Sequence, residues 1–342
     1  MGESRSIAGD RMSYKLLIYN EESYSLYDYA PITQKVTYTT NRGGSAGKLT
    51  FTFLQDKPIN LTEGAKVLFY VDGKEIFLGF VFIIEQNRSG EVSVTAYDQL
   101  RYLKAKSSYS FNNKKLGEII SQIAGDMQLQ VGEIEDTGQA IPYLTKENTE
   151  CLDIIEYALM LTQNSTGKTF IFFDDFGKLT LKEANHMMSD ILIGNGSIIT
   201  DYTYKSDIDS DTYNQVKLVR PNKETGQGDT YTFNDHTTIK KWGLLQKYDK
   251  VDENLNEAQI NEQGNIMMAY YDRVLKTISV SGLGGVPGLK AGAMAKFKIK
   301  EIPELANGYY LLLDKVSHSF SDGEHTMSVD AKIINKEGQW NS

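Results

Sequence analysis

The chain has 342 residues, 40% of them apolar, a formal net charge of −9 and a single cysteine. That length accommodates two or three domains of ordinary size. The acidic balance, with no local basic run to offset it, argues against nucleic-acid binding through a general basic surface, because phosphate affinity rests on concentrated Lys and Arg. One cysteine excludes an intrachain disulfide framework, and no apolar run is long enough to span a bilayer as a helix.

Residues 1–13 read as a leader. Met1-Gly-Glu-Ser-Arg-Ser-Ile-Ala-Gly-Asp-Arg lacks the apolar core of a signal peptide, so synthesis in the cytoplasm is expected, and Met12 offers an alternative start. From 14 to 106 the text is strands and turns, a first β-barrel. Lys15–Tyr19, Val36–Thr40 and Lys48–Leu54 alternate in the strand period, with Leu49, Phe51 and Phe53 on one face. Val67–Val71, Glu75–Ile84 and Glu91–Ala96 follow, joined at the hairpin signals Asp72-Gly73 and Ser89-Gly90. Six short strands suggest a small closed barrel, since closure removes exposed edges. The Gly-rich loop 41–47 is flexible by composition.

After Lys106 the period changes to helical. Leu116, Ile119, Ile120, Ile123, Ala124 and Met127 share a face, with Asn112 or Asn113 as the available cap. A second, largely apolar helix is expected over Thr149–Thr162, and short strands over Gln130–Ile134 and Lys168–Phe173. Residues 107–185 therefore read as an α/β insert. From 186 to 342 the pattern returns to strands: Ile198–Tyr204, Tyr213–Arg220, Thr230–Phe233 and Lys276–Val280, with a helix capped by Asn256 inserted at about 254–275. The expected fold class is mainly β with an α/β insert: two barrel domains, a small α/β domain and a helical excursion.

Leu289–Lys332 closes this second barrel and repeats an earlier passage. Leu61-Thr-Glu-Gly-Ala-Lys-Val-Leu-Phe-Tyr-Val and Leu289-Lys-Ala-Gly-Ala-Met-Ala-Lys-Phe-Lys-Ile share Leu, Gly, Ala and Phe, and their inward residues stay in phase. Gly90–Ala96 is answered by Gly323–Ala331 with two residues inserted. Two readings stand: an internal duplication, or the shared grammar of any meander with Gly turns. Equivalent strand order in the two segments is the condition a duplication must meet.

Catalytic signatures are absent by pattern. Gly167-Lys168-Thr169 ends like a phosphate loop, but Thr162 stands where the first Gly belongs and the segment runs into a strand rather than a helix. Asp175-Phe176-Gly177 copies a kinase triplet, and a strand-to-strand turn explains it. Asp207, Asp209 and Asp211 start like a calcium loop, but Thr212 and Leu218 replace its Gly and Glu, leaving a solvated acidic loop. Gly282–Gly288 reads as a connection where two backbones approach. His318 and His325 flank one hairpin turn without a third ligand for zinc. His186 and His236 are the other histidines, and Cys151 reads as a buried small hydrophobe. No catalytic, cofactor-binding or metal-binding residue is assigned and no cofactor is expected. The interface residues are unassigned, with Tyr70, Tyr309 and Trp242 as aromatic candidates against ordinary core packing.

Glu91–Leu103, followed by the helix from Leu116, resembles the baseplate hub proteins of contractile phage tails and tailocins, the late-control D and XkdQ-like family. Tyr213–Leu218, Ile239–Gln246, Tyr309–Phe320 and His325–Val329 continue the likeness in the family's order. The resemblance implies a homotrimeric structural hub in the baseplate of a virion-like particle, a symmetry adaptor between the hexameric tail tube protein and the trimeric central spike protein, beside other baseplate proteins. It implies no enzyme, no specific nucleic acid binding and no membrane insertion. Six similar barrels in three subunits give the duplication a purpose. The alternative is a tail-associated peptidoglycan hydrolase or cell-wall-binding protein.

Overall fold

The computed structural model describes residues 12–20, 23–55, 61–194, 201–221, 228–321 and 323–333. The expected leader up to residue 11, the start of the strand expected over Ile198–Tyr204 and most of a polar turn expected over 222–229 lie outside them. Seven strands come first: β1 (Tyr14–Asn20), β2 (Ser25–Asp28), β3 (Thr33–Asn41), β4 (Lys48–Leu54), β5 (Lys66–Val71), β6 (Lys74–Gln86) and β7 (Glu91–Tyr97). Next come β8 (Lys106–Lys115), α1 (Leu116–Asp126), β9 (Val131–Ile134), β10 (Ala140–Glu150), α2 (Cys151–Thr166), β11 (Phe170–Asp174) and β12 (Leu179–Glu183). The remainder is β13 (Met188–Gly194), β14 (Asp201–Asp207), β15 (Gln215–Pro221), β16 (Gly228–Asn234), α3 (His236–Trp242), β17 (Gln246–Lys250), α4 (Glu257–Tyr271), β18 (Leu275–Gly284), β19 (Met294–Lys298), β20 (Tyr309–Ser321) and β21 (Glu324–Ile333). The fold is mainly β with an α/β insert.

Two six-stranded units dominate. The first has the order β1-β5-β6-β7-β4-β3, the second β13-β19-β20-β21-β18-β14. Numbered within each unit with β2, the hairpin partner of β1, left out, both read 1-4-5-6-3-2. Each wraps its own core, built on Phe51, Phe53, Phe69 and Val94 in one and on Phe297, Leu313, Val316 and Val329 in the other. Alternation dictates this: in β4 and β5 every second side chain is buried.

The repeat extends to individual hydrogen bonds. Gly64 N–H donates to the Val81 carbonyl at 2.8 Å and Val81 N–H to Ala65 at 2.9 Å; Gly292 donates to Leu313 at 2.7 Å and Leu313 to Ala293 at 2.9 Å. Both glycines are left-handed, φ +85° and +89°. Val81 pairs with Ala96 and Leu313 with Ala331, and each pair is followed by a register shift that skips one residue, Phe82 or Asp314. Ala96 then pairs with Leu49 and Leu49 with Tyr38, as Ala331 pairs with Ile278 and Ile278 with Tyr204. A shared meander grammar does not reproduce a bulge, so the strand order and registers meet the condition for duplication. Two differences remain among the described residues: β2 pairs with β1 and has no counterpart beside β13, and β1 runs antiparallel to β5, whereas β13 runs parallel to β19.

Closure is where the structure departs from expectation. Among the described residues no ladder joins β1 or β2 to β3, nor β13 to β14, so hydrogen-bonded closure of either unit is not formed by them. β20 instead continues past its own unit and pairs with β3 over seven residue pairs, Lys315 with Asn41 through Ser321 with Lys35. Edge protection by a neighbouring strand replaces closure, and a continuous 13-stranded sheet results.

The insert packs α1 and α2 over β8–β10 and over the β11-β12-β9 sheet around Ile119, Ile123, Ile155 and Leu181. α1 is not capped by Asn112 or Asn113, which belong to β8. Lys115 is the cap, and the Glu118 carboxylate accepts its N–H at 2.9 Å, because a first-turn acid satisfies an otherwise orphan donor. α2 begins at Cys151; Thr149 and Glu150 still pair with β8. The helix expected at about 254–275 is α4, with Asn256 as its cap. Tyr213–Arg220 and Thr230–Phe233, expected as strands of the second barrel, pair instead in a separate β16-β15-β17 sheet that α4 covers through Val216, Leu218, Ile260 and Met267. Short alternating strands carry no label for the sheet they join. Among the described residues no helix is long and apolar enough to cross a membrane.

The twin glycines give a direct test. Gly64→Ala meets nothing within 4 Å and pays only for a left-handed backbone, about 1–2 kcal/mol. Gly292→Ala adds a Cβ 2.3 Å from Ile171 Cγ2, an overpacking cost of a further ~1–3 kcal/mol. Urea unfolding midpoints are expected to fall in both, and further for Gly292→Ala.

Candidate functional site

The groups that carry the architecture meet where the two units join. Arg42 follows β3, and its N–H donates to the Asp314 carbonyl at 2.8 Å while its Nε donates to Asp314 Oδ1 at 2.6 Å. Lys332 Nζ stands 3.8 Å from the other Asp314 oxygen. Asp314 is the bulged residue of β20, so the bulge aims a carboxylate at the incoming loop. Along the ladder the Thr39 and Ser317 hydroxyls bond at 2.9 Å, and Thr40 Oγ1 accepts the Ala291 N–H at 2.9 Å. Residues 42–47, expected to be flexible, are held at three points: Arg42 on Asp314, Gly44 N–H on the Glu156 carboxylate, and Gly47 N–H on Asp98 at 2.8 Å.

An aromatic stack fills the interior of the seam. Tyr38 of β3 is buried and stacks on His318 of β20 at 6.2 Å between ring centroids; burial raises its hydroxyl pKa well above the usual value. The two hairpin histidines do approach: His318 Nδ1 lies 2.9 Å from His325 Nε2, and His318 Nε2 lies 2.8 Å from the Leu289 carbonyl. A carbonyl only accepts, so His318 carries its proton on Nε2 and accepts from His325 Nε2–H. Phe320 stacks on His325 at 4.1 Å and meets Phe69 of the first core edge-on at 5.1 Å. Among the described residues no group of three or more His, Cys, Asp or Glu is placed to hold a metal ion.

The insert clamps the same seam. Its β11–β12 turn is the Asp175-Phe176-Gly177 triplet. Phe176 lies against Tyr70 of β5 at 5.4 Å, and Asp175 accepts from Lys290 Nζ of the second unit at 2.8 Å. Behind the turn, Asp174 accepts Gly177 N–H at 2.7 Å, and Asp98 accepts Gly47 and Leu100 N–H at 2.8 and 3.0 Å. Burial raises both carboxyl pKa values, Asp98 further because Asp174 is near it. Their backbone partners commit them to holding turns. The triplet is thus a three-way wedge between both units and the insert.

Elsewhere the sequence candidates are scattered. Cys151 is buried at the start of α2, and burial pushes its thiol pKa up. Gly167 is the left-handed cap that ends α2, and Lys168 pairs with Glu183 at 2.9 Å. Asp207 pairs with Lys205 and accepts Ser210 N–H at 2.9 Å, a self-contained turn beside exposed Asp209 and Asp211. Gly285 donates to the His325 carbonyl at 2.8 Å, and an added Cβ would fall 2.0 Å from that ring, the close backbone approach expected of Gly282–Gly288. His186 meets Glu135 at 3.0 Å on the surface, and His236 opens α3. Tyr70, Tyr309 and Trp242 are half-buried. Sequence reading missed Tyr38, Arg42, Asp98, Lys290 and Asp314. Arg42 and Asp314 are 272 positions apart, and no local spacing signals such a pair.

The histidine pair makes stability depend on pH. Burial lowers both pKa values, His325 to about 4 with further help from His318. The unfolded chain therefore binds protons from about pH 6.5 downward that the folded chain refuses until about pH 4, and stability falls across that window. The raised carboxyls act oppositely, losing stability as pH rises through their folded values. His325→Gln keeps a donor for His318 Nδ1. Its melting temperature is expected to drop less than that of the parent between pH 7 and pH 4.5; equal drops would refute the assignment.

Comparison with known proteins agrees with the architecture. A family model described as YQBQ-like matches residues 36–332. The chain is 34% identical over 276 residues to the uncharacterized protein YqbQ of Bacillus subtilis, covering 79% of this chain and 82% of that one. It is 31% identical over 277 residues to the phage-like element PBSX protein XkdQ of the same organism, with the same coverage. Among solved structures, the 43 kDa tail protein of prophage MuSo2 from Shewanella oneidensis superposes with a TM-score of 0.67 at 12% identity, over 93% of this chain and 98% of that one, a likeness of fold. On the extent of these matches, the chain belongs to the YQBQ-like family.

Proposed function

We propose that the protein is the structural hub of a contractile phage-tail or tailocin baseplate: a homotrimer whose six β units form a pseudo-sixfold ring joining the hexameric tail tube to the trimeric central spike. One observation carries the reading. Two units in each chain repeat the same strand order, bulge and hydrogen bonds, so three chains present six near-equivalent faces to a sixfold partner while remaining threefold toward the other. The kinship with a phage-element protein and the tail-protein fold support that placement. The division that serves it is a first β unit over 14–106, an insert over 107–185 and a second unit over 186–342, here carrying the larger α/β excursion rather than a helix alone. Its partners are other copies of itself, the tail tube protein, the central spike protein and neighbouring baseplate proteins, and its place is the baseplate of the particle. The work is assembly rather than catalysis: the buried carboxylates Asp98 and Asp174 are engaged by backbone donors.

Mass measurement of the purified chain, followed by electron microscopy with the tube protein, tests this. A species of three times the chain mass, seen as a ring with six lobes that caps the tube, is expected. A stable dimer or a chemically identical hexamer would overturn the reading. A lytic band in a peptidoglycan zymogram, abolished by one carboxylate substitution, would favour a hydrolase instead.

A further inference from the structure

Within the chain, the second unit uses one strand edge to dock on the first: the outer edge of β20 pairs with β3. Duplication makes the counterparts of these two edges identifiable. Val329 and Val94 are equivalent, and they pair with Val316 and Ile84, so the docking half of β20 corresponds to Ile83–Asn87, the end of β6 and the residue after it. Tyr38 and Tyr204 are equivalent through their pairing with Leu49 and Ile278, so β3 corresponds to β14. Among the described residues, neither counterpart edge has a partner. β5 leaves β6 after Phe80, and β14, at the end of the sheet path, pairs only with β18. Ile83 is 43% exposed and Tyr204 36%.

We propose that these edges pair between chains: the end of β6 on one copy with β14 on the next, in the register of the β20–β3 ladder. The inference rests on the trimeric ring proposed above and names its joint. Transferring the observed pairs sets Ile83 opposite Asp207, Ile84 opposite Ser206, Glu85 opposite Lys205 and Gln86 opposite Tyr204 of the neighbouring copy. Two pairs of that register match in chemistry, and Lys205, which bonds Asp207 on its own strand, would be shared with Glu85. Thr39 and Ser317, bonded within the chain, become Lys205 and Glu85, an opposite-charge cross-strand pair. Arg42 and Asp314, an ion pair within the chain, become Ile208 and Phe82, an apolar pair. A shift by one residue sets Glu85 opposite Ser206 or Tyr204 and loses the charge match. The joint is heterologous, because two different edges meet, and such a contact closes into a ring when its rotation divides a full turn. The two kinds of joint then alternate around the ring, one inside each chain and one between chains. Their different side chains keep β6 from taking the place of β20.

Cysteines at Glu85 and Lys205 of the full chain test the joint. Six strands separate β6 from β14 within one chain and the native Cys151 is buried, so oxidation at these positions reports a neighbouring copy. Thr39→Cys with Ser317→Cys is the intrachain control for oxidising conditions. After mild oxidation of concentrated Glu85→Cys/Lys205→Cys protein, the expected result is a reducible ladder that stops at three chains. Glu85→Lys alone should weaken assembly, and adding Lys205→Glu should restore it. A trimer by mass whose 85 and 205 thiols stay free, while the control pair oxidises, overturns the joint and leaves the trimeric reading standing. Cross-linked species that grow past three chains keep the joint and overturn the threefold ring. A folded monomer without cross-links at millimolar concentration overturns the joint.

Discussion

The ladder between β20 and β3 is the constraint on which the rest depends. A 13-residue strand begins in one unit, where Leu311, Leu313 and Val316 fill the second core, and ends in the other, where Phe320 packs into the first. Seven residue pairs fix the angle and register of the two units. A shift of one residue would turn Val316 and Phe320 to the wrong faces together. Two cores read one strand, and each alone is enough to reject a slip.

Around that strand, duplication has kept the backbone and released the side chains. The bulge at Phe82 and the bulge at Asp314 occupy one place, with the same preceding hydrogen bonds. What the bulged residues do is opposite in chemistry. Asp314 draws in Arg42 and Lys332, whereas Phe82 meets Tyr97, the counterpart of Lys332, edge-on at 5.5 Å. Backbone hydrogen bonds define the fold and tolerate few changes. Side chains at a joint answer to whatever lies across it, and the two copies face different neighbours.

The insert explains why motif-like triplets occur without their chemistry. Asp175-Phe176-Gly177 is a turn whose left-handed Phe176 and Gly177 let it wedge between both units and receive Lys290. Asp98 and Asp174 are buried with backbone donors around them, so each carboxyl holds a turn by accepting main-chain N–H groups. An added Cβ at Gly177 would lie 2.9 Å from Leu78. The glycine is set by that approach as well as by its backbone.

Alternation in Leu49–Phe53, Val67–Val71 and Ala293–Ile299 determined strands with one buried face, and helical spacing from Leu116 to Met127 determined α1; both are properties of neighbours along the chain. The resemblance of ordered segments and the paired passages Leu61–Ala96 and Leu289–Ala331 carried the family and the repeat. Sheet membership was not legible. Val216 and Leu218 look like barrel residues and belong to a separate sheet, and Met188–Gly194 went unread as the edge strand of the second unit. Nor was the seam, because Arg42 with Asp314, Tyr38 with His318, and Lys290 with Asp175 join residues more than a hundred positions apart. The sequence by itself determined each strand's faces and its turns, since these follow from local stereochemistry, and offered the repeat as one of two readings that the shared bulge and registers then decided. Only the tertiary structure decided which edges are covered, because any strand edge offers the same donors and acceptors and the partner is chosen by packing across the whole fold.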